Sequence, residues 1–145
     1  MIKPLLLLAA LTLLRLQQDV RVVTYSSGNP DSARYESLSF WIKTNQRAYI
    51  RYVHGKDAED IELSWAGQDT LDGRKGFRIH LPSPDTLNWI VVPMGNAILV
   101  GDRKGKYRKE YHWENENGAG SADSTCSICA KDEKQAMGWL KKYFF

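Results

Sequence analysis

Tyr35-Glu36-Ser37-Leu38-Ser39-Phe40-Trp41-Ile42-Lys43, then Thr44-Asn45-Gln46, then Arg47-Ala48-Tyr49-Ile50-Arg51-Tyr52-Val53 is the stretch whose reading decides the fold. Its first arm puts Leu38, Phe40 and Ile42 on one face and Ser37, Ser39, Trp41 and Lys43 on the other, the period-two signature of a strand. The second arm groups Ala48, Ile50 and Tyr52 opposite Tyr49, Arg51 and Val53. With Thr44-Asn45-Gln46 as a three-residue hairpin loop, Ile42 faces Ala48, Phe40 faces Ile50 and Leu38 faces Tyr52. The two apolar faces then coincide, whereas a one-residue slip would send one arm's apolar set to the opposite side of the sheet. The same register sets Trp41 across from Tyr49 and Ser39 across from Arg51 on the other face.

Working outward, Val20 to Tyr25 reads as a first strand, followed by a turn or loop at Ser26-Ser27-Gly28-Asn29-Pro30-Asp31. Downstream, Ile61 to Trp65 and Phe77 to Leu81 alternate cleanly around a Gly- and Asp-bearing loop, and Pro82-Ser83-Pro84 ends the second of them. Trp89 to Pro93 and Ala97 to Asp102 flank Met94-Gly95-Asn96 and are apolar on both faces. Such strands are expected to be central and covered on both sides, by a second sheet or by a helix. Tyr107 to Trp113 is the last strand. Seven or eight antiparallel strands predict a mainly β domain over residues 19–114, built as a sandwich or an up-and-down barrel.

Beyond Glu114 the composition shifts. Residues 115–125 carry Gly118, Gly120, Ser121 and Ser124 and read as a flexible loop. From Cys129 onward the period is helical, with Ala136, Trp139, Leu140 and Tyr143 on one stripe and Asp132 and Glu133 in the first turn, where the helix dipole favours acids. Phe144 and Phe145 extend the stripe. Residues 126–145 are therefore expected to belong to the same domain, as a C-terminal helix packed on the sheet, with the hairpin of residues 89–102 as acceptor.

The chain has 145 residues, 43% hydrophobic and 26% charged, enough for one domain with a core and unlike a disordered or collagenous chain. Lys3 followed by the apolar run Leu5 to Leu14 has the shape of a secretory signal peptide over residues 1–18. Arg15 stops that run well short of the ~20 residues of a membrane span, which leaves an uncleaved N-terminal anchor as the other reading. Export to the periplasm or the extracellular space is the expectation, with membrane contact only through this segment if it is retained. Without Lys3 and Arg15 the chain carries 18 basic and 17 acidic side chains, a net +1. Global charge thus names no partner and gives no reason to expect nucleic acid.

Cys126-Ser127-Ile128-Cys129 is the sharpest motif. In an oxidising compartment it reads as a local structural disulfide, and its place ahead of a helix allows the alternative of a redox-active pair. Two cysteines do not complete a zinc site, and His54, His80 and His112 lack ligand spacing to them. No metal or other cofactor is expected. Ser39, Trp41, Tyr49 and Arg51 form a candidate ligand-binding face, an aromatic pair beside a hydroxyl and a guanidinium. The pair also fits a plain cross-strand contact. Arg103, Lys104, Lys106, Arg108 and Lys109 form a basic patch suited to an anionic surface or to a solvated edge, with Asp57, Glu59, Asp60 and Glu62 available to balance it. No catalytic residue is assigned, and a hydrolase using a surface His, His80 or His112, is a second alternative. The leading expectation is non-enzymatic binding of a small ligand or of an envelope or extracellular protein.

Overall fold

The structure, a computed structural model, describes residues 19–55, 59–81, 87–115 and 126–145. The segment read as a signal peptide and most of the Gly/Ser loop lie outside the described residues. Eight strands follow one another: β1 (Val20–Ser27), β2 (Glu36–Lys43), β3 (Gln46–His54), β4 (Ile61–Leu71), β5 (Arg74–Leu81), β6 (Leu87–Met94), β7 (Ala97–Gly101) and β8 (Arg108–Trp113). Each pairs antiparallel with the next and β8 returns to β1, so the sheet closes into an up-and-down barrel, with one helix, α1 (Glu133–Tyr143), after it. Closure removes exposed strand edges and resolves the choice between sandwich and barrel.

The deciding hairpin has the expected register at Leu38↔Tyr52, Ser39↔Arg51, Phe40↔Ile50 and Trp41↔Tyr49. Its tip differs. Lys43 pairs with Gln46 and Ile42 with Arg47, leaving a two-residue turn in which Thr44 and Asn45 both have positive φ, at 53° and 57°. Two-residue hairpins favour such left-handed turns because they match the strand twist. The offset is absorbed by a bulge next to Trp41 and Ile42, and Ala48, expected on the apolar face, is exposed. The expected loop between Trp65 and Phe77 is likewise mostly strand. β4 continues to Leu71, turns at Asp72-Gly73 and re-enters β5 at Arg74, with a bulge between Trp65 and Gln68. Gly76 of β5 permits the close crossing with β6, since a Cβ there would stand 1.9 Å from the Val91 carbonyl oxygen.

Antiparallel order places the β2–β3, β4–β5 and β6–β7 turns at one end of the barrel and the intervening loops at the other. The C-terminal segment closes the turn end. Ala136, Met137, Leu140 and Tyr143 of α1 are buried, and Phe144 reaches the barrel interior, its ring 5.3 Å from Phe40 and 5.9 Å from Phe77. Arg47 donates to the Tyr143 carbonyl at 3.1 Å and Trp65 Nε1 to the Phe144 carbonyl at 3.1 Å, while the Arg47 guanidinium lies 3.5 Å from the Trp65 ring centre. The helix begins later than its sequence period suggests. Asp132 is the N-cap, accepting the Gln135 N–H at 2.7 Å, and the buried stripe uses Met137 where Trp139 was expected. Trp139 is only partly buried, with the Arg21 guanidinium 5.3 Å from its ring.

The doubly apolar hairpin is covered on both faces, but the outer cover is not the helix. Ile90, Val92 and Leu99 pack against Leu71 at the tip of the β4–β5 hairpin. That hairpin curls over the outside of β6 and β7 and is tied down where Asp72 accepts from Arg108 at 2.6 Å and Asp69 from Arg103. β8 reaches β1 only at Tyr25↔Trp113 and Ser26↔His112. Further back on β1 the neighbour is the cystine segment, through Val22 N–H to the Ile128 carbonyl at 3.0 Å and a parallel bridge between Val22 and Cys129.

Candidate functional site

The four residues of the expected aromatic face do come together on the outer wall of β2 and β3. Trp41 and Tyr49 stack with centroids 5.4 Å apart and planes 29° from parallel. The polar groups around them are already engaged with one another. Ser39 exchanges a hydrogen bond with Thr24 at 2.9 Å, and Arg51 pairs with Asp60 at 3.1 Å and lies 4.8 Å from the Tyr49 ring centre. Lys43 approaches the same ring at 5.0 Å. This is a cross-strand aromatic contact flanked by cations, with Trp41 Nε1 buried and without a hydrogen-bond partner among the described residues.

The five basic residues do not form one patch. Arg103 pairs with Asp69 and Arg108 with Asp72, both on the β4–β5 hairpin, so among the described residues these two arginines take their acids from that hairpin and not from Glu59, Asp60 or Glu62. Asp57 itself lies outside the described residues. Lys109 turns the other way, inward from β8 onto Glu36. Lys104 and Lys106 remain on the outer wall.

Cys126 and Cys129 form a disulfide with Cα atoms 5.3 Å apart. Cys129 is buried and sits three residues before the N-cap, in the bridge to β1 and outside the first turn of α1. His80 Nδ1 contacts Asn88 at 2.9 Å, and His112 lies 3.6 Å from Glu110 on an exposed surface. No cluster of three or more potential metal ligands occurs among the described residues.

One constellation had no counterpart in the sequence reading. Glu36, 1% exposed, opens β2 at the loop end of the barrel and points into it. Its Oε2 accepts from Tyr52 and Tyr111 at 2.8 Å each and from Tyr107 at 2.5 Å, and its Oε1 accepts from Lys109. Burial by itself would raise the carboxyl pKa. The hydrogen bonds from Lys109, Tyr107, Tyr52 and Tyr111 outweigh it and hold the group down at about 2. Burial and the same carboxylate push the three tyrosine hydroxyls upward. Tyr107 also stacks on Trp89, 4.3 Å and 10° apart. Every oxygen of Glu36 is thus occupied from within, which describes a polar plug for this end of the barrel. On the outer wall, Tyr35 donates to Glu114 at 2.6 Å, and burial with that bond raises the phenol to about 12.

Open space lies instead at the turn end. Gln68, Asp69, Thr70 and Lys75 of the β4–β5 hairpin, Pro93 of β6, and Lys141 and Phe145 of the C-terminal segment surround a groove of about 660 Å³, in which the Asp69 carboxylate is paired with Arg103. Phe145 forms an apolar wall, held edge-on to Phe77 at 5.0 Å, and Gly76 leaves the floor without a side chain. Two ammonium groups, Lys75 and Lys141, face it from opposite elements. No helix of the described residues is long and apolar enough to cross a membrane. No family model, no curated protein and no solved structure matches the chain.

Proposed function

We propose that the protein is an exported, non-enzymatic carrier or receptor for a small amphiphilic anion, which lies in the groove between the β4–β5 hairpin, the end of β6 and the last turn of α1. The observation that carries this reading is the groove itself. Its volume of about 660 Å³ falls in the range of small-molecule sites, and it combines apolar walls with a few polar groups from separate elements. Pro93 and Phe145 suit a flat or aliphatic body, Lys75 and Lys141 a carboxylate or sulfonate, and Gln68 and Thr70 further hydrogen bonds. The apolar run before Arg15 and the disulfide support export.

The probe for this site is 1-anilinonaphthalene-8-sulfonate, an aromatic anion whose emission rises on desolvation. Titration of the purified full chain is expected to give saturable one-to-one binding. Reversing both charges, with Lys75→Glu and Lys141→Glu, is expected to weaken it at least about ten-fold, the scale of one lost charge-assisted contact, while the thermal transition stays in place. Binding that does not saturate, or that the double variant leaves intact, overturns the assignment.

A further inference from the structure

Around the barrel from that groove, the outer wall of β4, β5 and β6 meets the β7–β8 loop in a second concavity of about 370 Å³ with a different composition. Arg78, Arg103, Lys104 and Lys106 line it together with Asn88, and its acids are Asp69 and Asp102. Both acids are committed to the protein. Asp69, whose side chain is 11% exposed, accepts the Thr70 N–H at 2.8 Å, takes Arg103 on the same oxygen and has Arg78 at 4.0 Å on the other. Asp102 accepts the Lys106 backbone N–H at 2.9 Å and so closes the turn that presents the two lysines.

The cations are less committed, apart from Arg78, whose Nη2 donates to the Ala66 carbonyl at 3.3 Å and whose Nη1 faces Asp69. Four positive charges stand against two negative ones, and neither the Lys104 nor the Lys106 ammonium has a carboxylate partner among the described residues. Arg103 uses only Nη2 on Asp69, which leaves Nε and Nη1 of its fork without an acceptor among the described residues. Asp69 therefore acts as a template that draws two guanidinium groups together from β5 and from the loop. A guanidinium fork matches the oxygen spacing of a tetrahedral oxyanion, and further cations beside it add charge without geometric demand. The surplus of two matches a dianion.

We propose that this concavity binds a phosphate or sulfate group, with Arg103 as the recognising fork, Arg78, Lys104 and Lys106 as supporting charges and Asn88 as a neutral donor. The site is separate from the amphiphile groove, and the two share only Asp69, which is left unaltered in the test.

Inorganic phosphate and inorganic sulfate are titrated into the isotope-labelled full chain at constant ionic strength, with chloride as the reference salt, and backbone amide shifts are followed. Saturable shifts are expected at Asn88 and across Lys104, Gly105 and Lys106. Arg103→Ala and Arg78→Ala are each expected to weaken binding about ten-fold, and Arg103→Lys by less, since it keeps the charge and loses the fork. Lys75→Glu with Lys141→Glu is expected to leave phosphate binding unchanged, which separates this site from the groove. Sedimentation with phosphatidylcholine vesicles, with and without phosphatidic acid, identifies the source: capture that depends on Arg103 assigns a lipid headgroup, and phosphate binding without capture assigns a soluble ester. Shifts that chloride reproduces, or vesicle capture that survives Arg103→Ala, overturn the proposal.

Discussion

Glu36 and Lys109 form an ion pair of unequal burial, the carboxylate side chain 2% exposed and the ammonium side chain 40% exposed. The buried partner cannot recruit water if the other is removed, so the pair is asymmetric in its consequences. The Glu36 pKa is depressed from 4.5 to about 2, which means the folded state favours the carboxylate. The resulting stability is fully present above pH 4.5 and is lost as pH falls from there through about 2, a total of about 3 kcal/mol. Lys109→Met leaves a buried charge supported only by phenols, so it is expected to cost about 1–3 kcal/mol, discounted for the exposure of the ammonium, and to move the acid unfolding midpoint to higher pH. Acid titration of both proteins by circular dichroism checks this, and coincident curves would remove Lys109 from the plug.

The crossing of β5 over β6 depends on one missing side chain. Gly76→Ala would set a Cβ 1.9 Å from the Val91 carbonyl oxygen and 2.7 Å from Val92 Cγ1, and neither backbone can yield without disturbing its ladder. Destabilisation by about 3 kcal/mol or more is expected, at the upper end of overpacking costs. Gly73→Ala, where nothing stands within 4 Å, is the control for positive-φ strain alone. Denaturant midpoints that rank Gly73→Ala as the worse variant would contradict the close crossing.

The strand order was legible because period two and turn residues agree along most of the chain, as at Phe40↔Ile50. What escaped was set by backbone offsets and by distance along the chain. The bulges beside Ile42 and after Trp65 insert a residue without any compositional sign, so Ala48 leaves the apolar face and the strand extension carries the composition of a loop. The buried plug did leave a trace. Glu36 shares the parity of Leu38 and Phe40, and Lys109 that of Tyr107 and Tyr111, so each is a charge on an apolar face. Pairing them required barrel closure, which joins residues 73 positions apart. The groove at the turn end had no local signal, since its walls come from three distant segments.

Helix α1 is architecture through Leu140 more than through Trp139. Leu140 is completely buried, whereas Trp139 lies at the margin against Arg21. Leu140→Ala is expected to cost about 2–5 kcal/mol, the range for a core leucine, and Trp139→Ala clearly less because its ring keeps one side in water. Urea unfolding followed in both variants orders the two, and a larger loss for Trp139→Ala would place the tryptophan in the core after all.

The disulfide closes a very short loop, so its effect on the unfolded chain is small, about 2 kcal/mol by the chain-entropy account. Its local effect is more specific. Ile128 lies inside the loop, and its carbonyl is the acceptor for the Val22 N–H on the part of β1 that β8 does not reach. Opening the loop frees that acceptor to wander, while the β1 pairing with β2, from Val20↔Lys43 to Ser27↔Glu36, is untouched. Cys126→Ser with Cys129→Ser is therefore expected to lower global stability by about 2 kcal/mol or less and to accelerate hydrogen exchange at the Val22 amide beyond that global change. Amides paired within the β1–β2 ladder serve as the internal reference. Exchange that rises uniformly along β1 would mean that the cystine segment stabilises the barrel as a whole and contributes nothing particular to closing its seam.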